Sequence, residues 1–178
     1  MTVLTQTTIE KTRATYAYRG ADIAPAATPS DVLMLSGAAN KIIRVTKIGI
    51  SGSATAAALV DMYISKRTST NTGGTSTNPT ATKYDSADHT PSATLTLYTA
   101  NPSSLGTGSA LEGDMIYLPA DATPTSEPSH WEREYGLGEA KCPILRSADE
   151  SVSINFAGAT LPAGTTFYFY IEWTEESA

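Results

Sequence analysis

TTFYFYIEWTEE, residues 165–176, alternates without a break. Phe167, Phe169, Ile171 and Trp173 fall on one side of an extended chain, and Tyr168, Tyr170 and Glu172 on the other. Successive side chains of a strand point to opposite faces, so this period of two reads as a half-buried β-strand. The pattern recurs along the chain. Val60, Met62 and Ile64 oppose Asp61, Tyr63 and Ser65; Leu95 and Leu97 alternate with Thr94, Thr96 and Tyr98; Val152, Ile154 and Phe156 oppose Ser153 and Asn155. Further strands are expected at 4–10, 12–19, 32–35, 115–118 and 131–135. Residues 151–174 read as a hairpin, with AGATLPAG (157–164) supplying the Gly and Pro of its turn.

NKIIRVTKIGISG (40–52) is a strand with a flaw. Ile43 and Val45 share a face, yet Ile48 and Ile50 are in phase with Ile42. The change near Thr46 implies a β-bulge or a strand covered on both faces. Apolar residues are nowhere sustained at i, i+3, i+4 and i+7. About ten short strands and no helix give an all-β, antiparallel β-sandwich, jelly-roll-like, with an immunoglobulin-like sandwich as second choice. With 178 residues and no fixed repeat, a single domain over 1–178 is expected. The long polar loops at 68–93, 100–110 and 119–130 are then insertions between strands.

Charged residues make up 17% of the chain and the formal charge is −6. Binding a nucleic-acid backbone requires clustered Lys and Arg, which this chain lacks, so nucleic acid is set aside as a partner. The N-terminus has no apolar signal core, and no run is long enough to span a bilayer, so no membrane partner is expected. Synthesis in the cytoplasm is expected, the chain either staying there or leaving as part of an assembly or by lysis. Cys142, the one cysteine, excludes an internal disulfide and reads as a small buried apolar residue.

Two constellations could carry chemistry. Asp85, Asp88 and His89 in YDSADHT place two carboxylates and an imidazole close enough for a divalent cation; the alternative is a turn, which Asp and Ser favour. In HWEREYG (130–136), Trp131, Arg133 and Tyr135 share a face that could stack on a sugar or peptide. The preferred alternative packs Trp131 and Tyr135 into the sandwich, with Arg133 at its edge. The spaced glycines of GTGSALEG (106–113) read as a hairpin or loop, because no strand-to-helix context follows. Glu175 and Glu176 read as part of a polar tail. His89 and His130 are far apart, and no nucleophile motif or phosphate-cradling loop is present. Neither catalysis nor a cofactor is expected.

About two dozen residues from 68 onward contain no Leu, Ile, Val, Phe or Trp. A loop of that length is usually functional or disordered. KRTSTNTGGTSTNPTATKYDS (66–86), LTLYTANPSSLGTGSALEGDMIYLP (95–119) and YIEWTEE (170–176) resemble a family of tailed-bacteriophage virion structural proteins, of the capsid decoration or cement type. The landmarks are a strand ending in Lys66-Arg67, the Thr-Gly-Gly-Thr-Ser-Thr loop, the Tyr-Thr-Ala-Asn-Pro segment and the terminal Glu-Trp-Thr-Glu. The resemblance covers roughly residues 40–176. It implies a homotrimer on the outer capsid that contacts the major capsid protein and bridges neighbouring capsomers. A tail, head–tail accessory or fibre-tip module gripping host glycan, through Trp131, Tyr135, Tyr168 or Tyr170, is the other reading. The expected partner contacts are Thr70, Thr72, Gly73, Gly74, Thr75 and Tyr84 in the loop, Trp131, Arg133 and Tyr135, and an arm within residues 1–19. The arm's alternative is a first strand of the sheet.

Overall fold

The computed structural model describes residues 13–120, 129–136 and 141–178. The strand expected at 4–10 and most of the 119–130 loop lie outside them. Twelve strands run in chain order: β1 (Ala14–Ile23), β2 (Asp31–Ser36), β3 (Lys41–Ser53), β4 (Ala58–Arg67), β5 (Thr75–Thr77), β6 (Thr82–Lys83), β7 (Thr94–Ala100), β8 (Gly108–Leu118), β9 (Ser129–Glu134), β10 (Ile144–Leu145), β11 (Ser151–Asn155) and β12 (Thr166–Ser177). They form two antiparallel six-stranded sheets packed face to face, a β-sandwich without helices among the described residues. Sheet A has the order β10-β3-β12-β1-β6, with β9 beside β10 on the same edge of β3. Sheet B runs β5-β7-β2-β11-β4-β8.

The alternation of β12 becomes its burial. Phe167, Phe169, Ile171 and Trp173 are sealed in the core, while Tyr168 is exposed and Tyr170 and Glu172 are half-buried on the outer face. Each large apolar side chain removed from water contributes about 1.5–3 kcal/mol. A row of four therefore fixes which face of β12 looks inward, because a slip of one residue would expose the whole row.

The flaw in β3 is a bulge. The β12–β3 register shifts between Glu172 and Trp173, which face Lys47 and Val45, so Thr46 is the extra residue. The insertion restores phase: Ile43, Val45, Ile48 and Ile50 are all buried in the core. The Thr46 hydroxyl, turned outward, donates to Glu172 Oε1 at 2.8 Å.

Four expectations need correction. Residues 151–174 are not a hairpin, because β11 pairs with β2 and β4 in sheet B and β12 with β1 and β3 in sheet A. Both segments point aromatic residues at the same core, and the Phe156 and Phe167 rings stack across it at 4.8 Å. That contact requires opposite sheets. GSALEG is no loop: residues 108–113 open β8, which pairs with β4 from Arg67 to Ala58. The 68–93 loop carries two strands of its own, β5 on sheet B and β6 on sheet A, and so crosses between the sheets. Cys142 is half-buried, not buried. At the N-terminus, residues 14–23 are an integral strand between β12 and β6.

Candidate interaction surfaces

The loop from 68 to 93 is held at each end by a carboxylate with no exposed side-chain surface. Asp31 Oδ1 and Oδ2 accept from Arg67 Nη2 and Nε at 2.7 and 2.6 Å, from Asn155 at 2.6 Å and from Asn71 at 2.7 Å. Asn71 in turn accepts from the Gly106 amide at 2.8 Å, and Arg67 donates to the Gly106 carbonyl at 2.9 Å. Burial alone would push the Asp31 carboxyl up, but Arg67, Asn71 and Asn155 donate to it and hold it below the usual carboxylate range. At the far end, Glu175 accepts from the Ser92 and Ala93 amides (2.9 and 3.0 Å) and from the Trp173 indole (3.1 Å). His89 Nε2 lies 3.5 Å from its second oxygen.

Between these anchors, Thr72 bridges to Ser104, and Gly73 and Gly74 turn at φ of 69° and 83°. A side chain at Gly74 would sit 2.6 Å from the Asn101 carbonyl oxygen. Glycine is required there twice, for the left-handed φ and for the close approach. Thr70, Thr72, Gly73, Gly74 and Thr75 all face solvent. Tyr84 lies elsewhere, on the outer face of sheet A. Its hydroxyl donates to Glu172 Oε2 at 2.7 Å and lies 2.9 Å from the Tyr170 hydroxyl.

Asp85, Asp88 and His89 form a turn. Asp85 Oδ1 accepts from the Ala87 amide at 2.8 Å, its carbonyl accepts from the Asp88 amide, and Lys83 caps the Asp88 carbonyl at 2.6 Å. His89 is directed to Glu175 instead. Among the described residues no group of three or more His, Cys, Asp or Glu is gathered as a metal ion would need.

Trp131, Arg133 and Tyr135 are committed within the chain. They occupy the face of β9 turned towards β8, where the Trp131 indole donates to Asp114 (3.1 Å) and Arg133 Nε pairs with Glu112 (3.1 Å). Trp131 and Tyr135 pack against the core. Burial pushes the Tyr135 phenol well above its ordinary range, and the neighbouring Glu112 carboxylate pushes it the same way. These contacts lash the two sheets together at their open side.

Two surfaces among the described residues bear on association. On sheet B, β8 is an edge strand of 11 residues, whereas the opposite edge, β5, has three. Beside that edge the outer face is apolar: Leu59 opposes Tyr117 across the β4–β8 ladder, with Met115 one position along. Leu59 is 64% exposed, Met115 60%, Tyr117 46% and Leu111, further along β8, 45%. Adjacent exposed apolar groups beside a sheet edge are what association surfaces offer and what solitary proteins avoid.

On sheet A, a groove of about 410 Å3 crosses the outer face between β12 and β9. Its rows follow the ladder: Tyr168–Ser51–His130 and Tyr170–Gly49–Glu132 lie side by side across β12, β3 and β9. Arg19 and Lys47 lie 5.5 and 6.0 Å from the Tyr170 ring centre. Lys47 is also paired with Glu132 at 2.8 Å and Glu134 at 3.2 Å.

Sequence reasoning missed Glu175, Asp31 and the Leu59–Tyr117 face. For Glu175 the signal was present: it continues the inward phase of Phe167 to Trp173. No helix among the described residues is long and apolar enough to cross a membrane. No protein-family model, curated protein or solved structure matches the chain.

Proposed function

We propose that this chain is a non-enzymatic structural component of a tailed-bacteriophage virion, a decoration protein that binds the outer capsid and bridges capsomers. The observation that carries the reading is the exposed apolar cluster of Leu59, Met115 and Tyr117 beside the β8 edge. Such a margin gains buried apolar area and main-chain hydrogen bonds by adding a neighbour's strand. The resemblance of residues 66–86, 95–119 and 170–176 to virion structural proteins supports it. So does strand order: β1-β12-β3-β9 facing β2-β11-β4-β8 is the interleaving that two rolled-up Greek keys produce, the jelly-roll arrangement common in capsid proteins. In this reading β8 and the Thr72–Thr75 turn contact the sister subunits of a trimer and the major capsid protein.

The test is to mix purified protein with expanded capsids lacking it and image the particles. Stoichiometric density at local three-fold positions is the expected result. Density confined to a tail tip or baseplate would replace this reading with the adhesion module. Leu59→Glu/Met115→Glu should abolish capsid binding while each subunit keeps its fold, read as an unchanged far-ultraviolet circular dichroism spectrum, because neither side chain is part of the subunit's own core.

A further inference from the structure

We infer that the groove on the outer face of sheet A is a binding site for an uncharged oligosaccharide, on the opposite side of the sandwich from the β8 margin. The inference does not depend on the decoration reading.

The floor of the groove is the buried Gly49 and the half-buried Ser51, short side chains on the outer face of β3. The walls stand on the strands to either side, Tyr168 and Tyr170 on β12, and His130 and Glu132 on β9. Two strand spacings separate those walls, about 10 Å, wide enough for one pyranose ring and too narrow for a helix. Glycine in a strand interior weakens the strand and often marks where another molecule approaches the backbone. At Gly49 nothing in the fold demands it. Its φ is not in the left-handed region, and an added Cβ would meet only Tyr170 Cβ at 3.6 Å, His130 Cε1 at 3.8 Å and the Trp131 carbonyl at 3.8 Å, all ordinary contacts. A Cβ is therefore tolerated there without strain, and its absence keeps the trough open.

The lining matches a sugar's two chemistries. A pyranose presents a C–H face that packs on an aromatic ring and a rim of hydroxyls that both donate and accept. Tyr168 is 44% exposed, the most exposed large apolar side chain on this face after Tyr84. Its hydroxyl is tied to Asp22, which fixes the ring's position. The rim offers an acceptor carboxylate at Glu132, an imidazole at His130, the Ser51 hydroxyl and the Arg19 guanidinium. Few, placed polar groups beside an aromatic surface are the usual lining of a small-ligand site. The charges settle the ligand's own. Lys47 is already shared between Glu132 and Glu134, Arg19 rests against the Tyr170 ring, and the whole chain carries −6. Around the groove Arg19 and Lys47 balance Glu132 and Glu134, so a polyanionic glycan gains no net attraction here, while a neutral one meets hydrogen-bonding groups.

The experiment is an amide NMR titration of the full chain with uncharged gluco-, manno- and galacto-configured hexasaccharides, beside a uronic-acid hexasaccharide. The expected result is saturable shifts at Gly49, Ser51, His130 and Tyr168 from a neutral probe, with weaker shifts from the acidic one. Gly49→Val should lose at least tenfold in affinity while keeping its amide spectrum elsewhere. Tyr168→Ser should lose a similar factor and serves if the valine variant folds poorly. No shifts at these amides from any neutral probe, tighter binding of the acidic probe, or undiminished binding by both variants would overturn the inference. Capsid binding is read on the other face, so either claim can fail alone.

Discussion

Asp31 and Glu175 show how much one side chain can decide when it is sealed from water. Replacing Asp31 by Ala strands the Arg67 guanidinium without its counter-charge, a change that costs about 3–5 kcal/mol. Chemical denaturation should show that loss, and Asp31→Leu/Arg67→Met should recover only part of it, since the apolar pair removes the stranded charge but leaves the Asn71 and Asn155 amides without their acceptor. The sign of the pH dependence follows from the same pair. The folded Asp31 carboxyl titrates below its unfolded value, so between the two the unfolded chain binds more protons. Stability from this group is complete above about pH 4 and is lost as pH falls through the folded value. Melting curves from pH 7 to pH 2.5 should show the drop, and the double variant should show a shallower one. Glu175→Gln keeps the shape but weakens the acceptor for two amides and an indole, at about 1–3 kcal/mol.

The 68–93 segment changes meaning at the scale of elements. Its composition is that of a disordered linker, yet β5 and β6 stitch it to both sheets and two buried carboxylates clamp its ends. Trypsin should therefore cut slowly after Lys83 in the intact chain, because β6 pairs with β1 there. In Glu175→Ala the same bond should be cut much faster, since the Ser92 and Ala93 amides lose their acceptor. Equal rates in both chains would show that the clamp does not hold the segment. Gly74→Ala should destabilise by at least about 1 kcal/mol, through its left-handed φ and the blocked approach to Asn101.

The whole molecule is a sandwich whose two outer faces differ. Sheet B ends in a long edge strand flanked by apolar side chains, and sheet A carries a polar, aromatic trough. Sedimentation of the free protein should give a trimer under the decoration reading, and Met115→Lys should shift it to monomer by placing a charge on the apolar strip of the edge. A strict monomer at high concentration would remove the trimer from the proposal. At this scale the Trp131–Asp114 and Arg133–Glu112 contacts hold the open side of the sandwich together, so changing Trp131 should lower the melting temperature and leave capsid binding intact.

The sequence by itself determined the longer alternating strands and their inward faces, and it placed a change of phase near Thr46 that left a bulge or a doubly covered strand open. Those follow from local periodicity, and an apolar row in a period of two has one way to leave water. The tertiary structure alone decided which strands are neighbours: the apparent 151–174 hairpin belongs to two sheets, since alternation says which side is buried and nothing about against what. It also decided the fates of Trp131, Tyr135, Asp31 and Glu175. A polar or aromatic side chain is equally suited to solvent or to a paired interior, and only the groups brought opposite it by distant strands choose between them.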